Sequence, residues 1–461
     1  MFDFQYKKKI LCIGAGYVGG PTMTIIANKC PDYQVTVVDI SEKRIADWNS
    51  NRLPIFEPGL DERVKAVRGR NLFFSTDIDK GIKDADIIFV CVNTPTKNFG
   101  QGAGMAADLS FIEKTARRIK DVAKSGKIVV EKSTVPVRAA ETIGTILHSG
   151  NGDTQFEILS NPEFLAEGTA ITDMESPDRV LIGSQETPSG LEARNELCDI
   201  YAHWVPKDKI ITSNLWSSEL SKLVSNAFLA QRISSINSIA SLCELTGADV
   251  SQVSKAVGKD SRIGEKFLRA GVGFGGSCFR KDILNLVYLS QYYGLLEIAE
   301  FWKQVISLNE FQMERFVRRM TKAMFNTLVE KKITVLGFAF KPDTGDTRDS
   351  PAIYICHRLL QEKAQLCICD PHALESAKKD LAGAEGIIHY EPDPYKAVEG
   401  SHAIALLTEW NSFASLDYHR IYESMEKPAF CFDGRNHLNH DLLYKIGFNL
   451  YCVGKPDRHH F

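Results

Sequence analysis

Between Gly271 and Asp282 the chain reads GVGFGGSCFRKD, four glycines around one cysteine with a Lys-Asp pair just after it. Glycine loses more conformational freedom on folding than any other residue, so this density marks backbone that turns sharply or lets another molecule come close. A helix is expected to begin near Lys281, just past Cys278, where unpaired N–H groups and the helix dipole stabilise a thiolate. That describes an accessible nucleophile. Asp282, four residues after the cysteine, is placed to act with the thiol or position a water, unless it is an ordinary first-turn helix acid.

Lys222 and Asn226 are also four apart, on one face of a long helical pattern. A lysine beside an apolar stripe either snorkels to solvent or joins the amide in donating hydrogen bonds to an oxyanion. In SNPEFLAEG, Glu163 and Glu167 are one helical turn apart after a strand and a proline, a spacing that also suits acids at a helix start. Thr134, in EKSTVPV, follows a strand at the sheet edge where ligands of open α/β sheets collect.

Gly14, Gly16 and Gly19 match G-x-G-x-x-G, with Tyr17 and Val18 inside the turn. The motif follows a strand, opens a helix, and precedes by twenty residues an acid, Asp39, at the end of a second strand. In that context the glycines permit a tight turn, close approach of a pyrophosphate and close helix packing. Asp39 accepts hydrogen bonds from a ribose diol and repels a 2′-phosphate, so NAD is expected over NADP. Arg44 pulls slightly the other way, since an arginine here can hold a phosphate.

These residues need a scaffold, and the chain supplies its signals. At 461 residues with 44% hydrophobic content it has room for roughly three domains. Runs such as DADIIFVCV, GKIVVEKSTV, FEILSNP, DRVLIGS and KIITS alternate with helical stretches, which implies a parallel sheet covered on both faces. After Ile211 the texture becomes helical: one long amphipathic helix carries Leu220, Leu223, Val224, Ala227, Phe228, Ile233, Ile236, Ile239, Ala240 and Cys243 and ends near Gly247. Helical stretches over 283–293 and 295–324 follow. Then KKITVLGFAFKP restarts the strand-glycine-helix pattern, closing on Asp370. The expected fold is α/β: two doubly wound Rossmann-like domains, 1–213 and 327–461, joined by an all-helical dimerisation segment, 214–326.

Composition limits the partners. Positive and negative side chains number 55 and 58, which argues against nucleic acid and anionic membranes, so an anionic ligand must be held by local cations. The N-terminal MFDFQYKKKILCIGAG has lysines before an apolar run, but Gly14 breaks it far short of a secretory core or a membrane span. A soluble cytoplasmic protein is expected. Its eleven cysteines read mostly as buried, reduced thiols, and none has zinc-site spacing, so no metal is expected.

GAGYVGG, VNTPT, STVPV, NPEFLAEG, GFGGSCFRKD, GFAFKPDTGDTRDSP and FDGR, in this order over nearly the whole chain, resemble the UDP-glucose 6-dehydrogenase family, most closely its animal members. The resemblance implies a four-electron oxidation: UDP-glucose, two NAD⁺ and water give UDP-glucuronate and two NADH, supplying glucuronate for glycosaminoglycans and proteoglycans. It implies that Cys278 captures the intermediate aldehyde as a thiohemiacetal, later oxidised to a thioester and hydrolysed. Lys222 and Asn226 then stabilise negative charge at the sugar C6 oxygen, while Asp282, Thr134 and Glu163 organise water and proton transfers. Cofactor contacts are implied for Tyr17, Val18, Arg44, Val92, Thr94, Thr134, Glu167 and Arg348. Substrate contacts are implied for Glu163, Phe164, Leu165, Glu167, Phe274, Gly275, Phe279, Phe340, Lys341 and Arg435, with Arg262 reaching in from a neighbouring subunit. Arg269 stands where close relatives are expected to carry lysine. A dimer at least, and in animal forms commonly a hexamer, is implied.

Other readings remain open: a dehydrogenase of UDP-N-acetylmannosamine or GDP-mannose, a two-electron hydroxy-acid dehydrogenase, or a non-catalytic nicotinamide sensor. The hydroxy-acid reading leaves Cys278 and the third domain unexplained. A sensor has no need of Lys222, Asn226, Cys278 and Asp282 together.

Overall fold

Strand β1 (Lys8–Ile13) sends Ile10 and Cys12 into one apolar core and Leu11 and Ile13 into another. Strand β4 (Ile87–Val90) repeats the alternation, with Ile87 and Phe89 on one side and Ile88 and Val90 on the other. A strand apolar on both faces belongs mid-sheet with helices covering each side. Each fully buried Ile or Leu contributes about 1.5–3 kcal/mol.

The computed structural model describes residues 6–150 and 154–461, so the first five residues of the lysine-rich N-terminal run lie outside it. The chain divides into two units, Met1–Ser225 and Asn226–Phe461. The first holds an eight-stranded sheet completed by β2 (Tyr33–Val38), β3 (Leu72–Ser75), β5 (Lys127–Glu131), β6 (Phe156–Ser160), β7 (Val180–Ser184) and β8 (Ile210–Asn214), in the order β3-β2-β1-β4-β5-β6-β7-β8. The strand order reverses between β1 and β4, and the carboxyl ends at such a switch point are where ligands of open sheets bind.

The second unit holds a six-stranded sheet: β9 (Lys332–Leu336), β10 (Gln365–Cys369), β11 (Ile388–Tyr390), β12 (Ala403–Leu406), β13 (Phe430–Asp433) and β14 (Asn449–Cys452). Every pairing in it is parallel, and its order, β11-β10-β9-β12-β13-β14, repeats that of the first six strands. The sequence punctuates several helices openly. Thr187, Ser350 and Asp393 cap helices whose first residues are Pro188, Pro351 and Pro394, where a missing N–H costs nothing.

The first sheet is not wholly parallel: β7 runs antiparallel to β6, pairing Leu159 with Ser184 and Ser160 with Gly183. A strand buried on both faces reads the same in either direction, so alternation of elements could not reveal this. Strands β3, β11 and β14 were not expected; they are edge strands of three or four residues, too short for a period to register. The long helix is present as Leu215–Thr246, but a further helix, Val250–Gly258, follows it. On the long helix Leu220, Phe228 and Ile239 are exposed rather than core. The helix expected from Lys281 begins at Phe279, with Cys278 as its N-cap. Among the described residues no helix is long and apolar enough to cross a membrane.

Candidate active site

Three glycines shape the turn after β1, each for its own reason. Gly14 has φ +113°, and a Cβ there would lie 2.3 Å from the Cys91 carbonyl oxygen. A Cβ on Gly19 would lie 2.0 Å from the Gly14 carbonyl oxygen, at the start of the Gly19–Lys29 helix. Gly16 faces open space, with nothing within 4 Å of an added Cβ. Turn, helix contact and approach surface are thus divided among the three, which is what a pyrophosphate at this helix N-terminus requires. Tyr17 is half-buried and Val18 is the helix N-cap.

Asp39, at the end of β2, clasps this turn. Its Oδ2 accepts from Ala15 N–H and from Arg44 Nη1, both at 2.9 Å, and its Oδ1 from Ser41 N–H at 2.9 Å. Burial pushes its pKa up, but those backbone and Arg44 hydrogen bonds outweigh it and hold the carboxyl below its ordinary range. A carboxylate offers about four acceptor positions, so with these three donors Oδ1 retains room for a ribose hydroxyl. The residues present therefore fit NAD. Arg44, paired with Asp39, is not a free phosphate ligand.

Beside the turn, the loops after β4 and β5 are stitched together. Thr94 Oγ1 donates to the Thr134 carbonyl at 2.7 Å, and Ser133 Oγ to the Val92 carbonyl at 2.7 Å. Glu163 is held from two sides: its Oε1 accepts from Phe164 and Leu165 N–H at 2.8 and 3.1 Å, and its Oε2 lies 2.9 Å from Lys132 Nζ. Burial would raise its pKa, yet the Lys132 charge and these hydrogen bonds hold it below the ordinary value. Lys222, buried at 6% exposure, sets its ammonium 5.2 Å from the centre of the Phe164 ring, and Arg179 stacks on the same ring at 3.9 Å. It does not snorkel to solvent. Glu167 is half-buried on the loop that follows.

In the second unit Cys278 alone of the eleven cysteines is exposed; eight are buried, and Cys91 and Cys198 are intermediate. It heads the 14-residue helix Phe279–Tyr292, and the Asp282 N–H donates to its carbonyl at 2.9 Å. Asp282 is 1% exposed, and Asn226 Nδ2 donates to its Oδ2 at 2.6 Å. The surrounding glycines serve close packing within the chain. An added Cβ on Gly275 would lie 2.4 Å from the Asp349 carbonyl oxygen, on Gly276 2.9 Å from the Phe340 ring, and on Gly273 2.9 Å from Asn309 Oδ1. The Gly276 N–H donates to the Arg348 carbonyl at 2.8 Å, and Phe274 and Phe279 meet edge to face at 5.7 Å.

Arg435 crosses the same region: its Nε donates to the Leu407 carbonyl at 2.7 Å and its Nη1 to the Gly273 carbonyl at 3.1 Å, while its Nη2 is buried without a partner. Lys341 lies 5.6 Å over the Phe340 ring. Arg262 and Arg348 are exposed and paired with Asp260 and Asp346, two residues away; Arg269 is exposed. Asp370 repeats in this unit what Asp39 does in the first. It ends the second strand and accepts from the Phe338 and Ala339 N–H groups of the glycine turn at 2.6 and 3.1 Å.

Lys132, Asn161, Tyr201, Arg179 and Glu219 join these networks without a spacing that announces them. The available signal was Glu131-Lys132, two charges closing an apolar strand.

Known proteins place these features in one lineage. Residues 8–205, 216–311 and 334–440 match, in turn, the NAD binding, central and UDP binding domains of the UDP-glucose/GDP-mannose dehydrogenase family. The chain is 60% identical to UDP-glucose 6-dehydrogenase 5 of Oryza sativa subsp. japonica and 59% identical to UDP-glucose 6-dehydrogenase 4 of Arabidopsis thaliana, over 97% of each chain. Its fold matches a UDP-glucose dehydrogenase from the archaeon Pyrobaculum islandicum with TM-score 0.85 at 29% identity, covering 99% of both chains.

Proposed function

The chain belongs to the UDP-glucose/GDP-mannose dehydrogenase family, and on that premise we propose that it oxidises UDP-glucose to UDP-glucuronate with NAD, through an adduct on Cys278. The observation that carries the thiol route is the exposure of Cys278 alone among the eleven cysteines, at the N-cap of the Phe279–Tyr292 helix.

Gly14, Gly16, Gly19 and Asp39 would hold NAD, which when bound would supply the hydride acceptor for both oxidations, the C6 hydroxyl proton of the first leaving to solvent. The protein's own groups do the rest. Lys222 and Asn226 donate hydrogen bonds to the C6 oxygen as charge develops there. The Cys278 thiolate adds to the C6 aldehyde, forming a C–S bond while the oxygen takes a proton. On loss of its C6 hydride and of its hydroxyl proton, the latter to solvent, that adduct becomes a thioester. Asp282 and Thr134 hold the attacking water, Glu163 takes its proton, and the C–S bond breaks to return the thiolate and release the acid.

Arg435, with its unpartnered Nη2, and Lys341 serve the UDP moiety, with Phe274, Gly275, Phe279 and Phe340 around the sugar nucleotide and Phe164, Leu165 and Glu167 beside it. Arg269 adds a further cation, and Arg262 serves a neighbouring copy. Tyr17, Val18, Arg44, Val92, Thr94 and Arg348 border the cofactor. We read three domains, 1–213, 214–326 and 327–461, in line with the three family matches. A homo-oligomer built from dimers and a cytoplasmic location complete the reading; eleven free cysteines fit a reducing compartment.

The test is stoichiometric. Two NADH per UDP-glucose consumed is the expected result; one points to a simple alcohol dehydrogenase and none to a sensor. UDP-N-acetylmannosamine belongs in the same assay, because the chain also matches a UDP-D-ManNAc dehydrogenase from Pyrococcus horikoshii with TM-score 0.81 at 25% identity.

A further inference from the structure

Lys132 follows β5 in a setting where a lysine is costly: its side chain is 4% exposed, and burying an ammonium requires a partner for each donor. An ammonium has three N–H groups, and three acceptors meet them. Glu163 Oε2 lies at 2.9 Å, Asn161 Oδ1 at 3.1 Å and the Tyr201 hydroxyl at 3.3 Å. These acceptors are themselves fixed. Tyr201 donates its hydroxyl proton to Asn161 Oδ1 at 2.6 Å, and Asn161 Nδ2 donates to the Leu181 carbonyl at 2.8 Å. The hub thus draws on the residues just after β5 and β6, on β7 and on the Pro188–Tyr201 helix.

With Oε1 taken by two backbone N–H groups and Oε2 by Lys132, Glu163 has one orientation and a permanent counter-charge behind it. The cavity bordering Lys132, Asn161, Glu163 and Tyr201 measures about 30 Å³, room for a water or two.

We propose that Lys132 is the positioning residue for Glu163, fixing the direction of its carboxylate and supplying the counter-charge behind it. This rests on the reading that Glu163 accepts the water's proton. The other charged groups around the hub are Lys222, Arg179, Asp173 and Glu131. Of these Lys222 adds to the hold on Glu163, and Glu131, the last residue of β5, immediately precedes Lys132.

The experiment compares Lys132→Met, Lys132→Arg, Tyr201→Phe and Glu163→Gln in the full-length enzyme, recording kcat against pH, NAD affinity and melting temperature. Lys132→Met is expected to lower kcat about ten- to a hundredfold and to move the acidic limb up by about one pH unit or more, because the carboxyl loses its cation. NAD affinity should stay within about twofold, and Lys132→Arg should restore the limb. Tyr201→Phe removes one oxygen and should shift the limb the same way by less; it carries the test if Lys132→Met does not fold. An unmoved acidic limb in the variants that fold, with Glu163→Gln impaired, overturns the positioning role and leaves the site reading intact. Wild-type turnover in Glu163→Gln instead overturns the role of Glu163 itself.

Discussion

Asn226 donates through Nδ2 to Asp282 Oδ2 at 2.6 Å, joining two residues 56 positions apart. The sequence reading grouped Asn226 with Lys222 and Asp282 with Cys278; the bond links those two pairs. A hydrogen bond to a charged group contributes about 1.5–3 kcal/mol, and its loss leaves a buried carboxylate less satisfied. Asn226→Ala should therefore lower both denaturation stability, by about that amount, and turnover. Because the partners act together, the double variant Asn226→Ala/Asp282→Ala should lose less activity than the product of the single losses. Multiplicative losses in a kinetic double-mutant cycle would count against the coupling.

Cys278→Ser should retain NAD and UDP-glucose binding by calorimetry yet lose acid formation by several orders of magnitude. Native protein treated with a limiting thiol reagent should label Cys278 first, since the other ten thiols are buried or half-buried. Peptide mapping that found another cysteine labelled faster would contradict the exposure argument.

Asp39 is predicted to set cofactor choice through Arg44 as well as directly. Asp39→Asn keeps the shape but releases the Arg44 guanidinium, now 2.9 Å from the carboxylate, to meet a 2′-phosphate. The kcat/KM for NAD should fall about tenfold, the scale of one charged hydrogen bond, while that for NADP rises. Steady-state kinetics with both cofactors reads the ratio directly.

What could be read from the chain beforehand follows from how local each feature is. The turn at Gly14, Gly16, Gly19 and Asp39 is specified by residues close together, so its spacing announces it. Cys278 stood out for the same reason, although the glycines around it turned out to seat the loop against Phe340, Asp349 and Asn309. The hub at Lys132 joins residues 132, 161, 163 and 201, and no periodicity connects them. Strand direction at β7 was hidden because burial on both faces removes the polar alternation that would mark an edge.

Glu219 gives stability a pH dependence. It is 1% exposed and accepts from the Arg138 and Ala140 N–H groups at 2.7 and 2.8 Å, capping the Ala139–His148 helix. Burial pushes its pKa from 4.5 up to about 7 against the pull of those two donors. A raised carboxyl pKa means the native state holds the proton longer than the unfolded chain. Its stabilisation is present below about pH 4.5 and is lost as pH rises through about 7, at most about 3 kcal/mol at 1.36 kcal/mol per unit. Glu219→Gln should flatten that part of a denaturation-versus-pH curve. Glu131, fully buried with both oxygens unpartnered, is shifted the same way, so Glu131→Gln/Glu219→Gln should flatten it further.

The two sheets share a strand order and an acid at the end of the second strand, yet those acids differ in vacancy. Asp370 accepts from Phe338, Ala339, His372 and Ala373 N–H groups and from the Trp410 indole, five donors that fill its lone pairs from within. Asp39 has three. At the second scaffold the acid that could meet a ribose is thus saturated from within, whereas Asp39 keeps an acceptor position open for one.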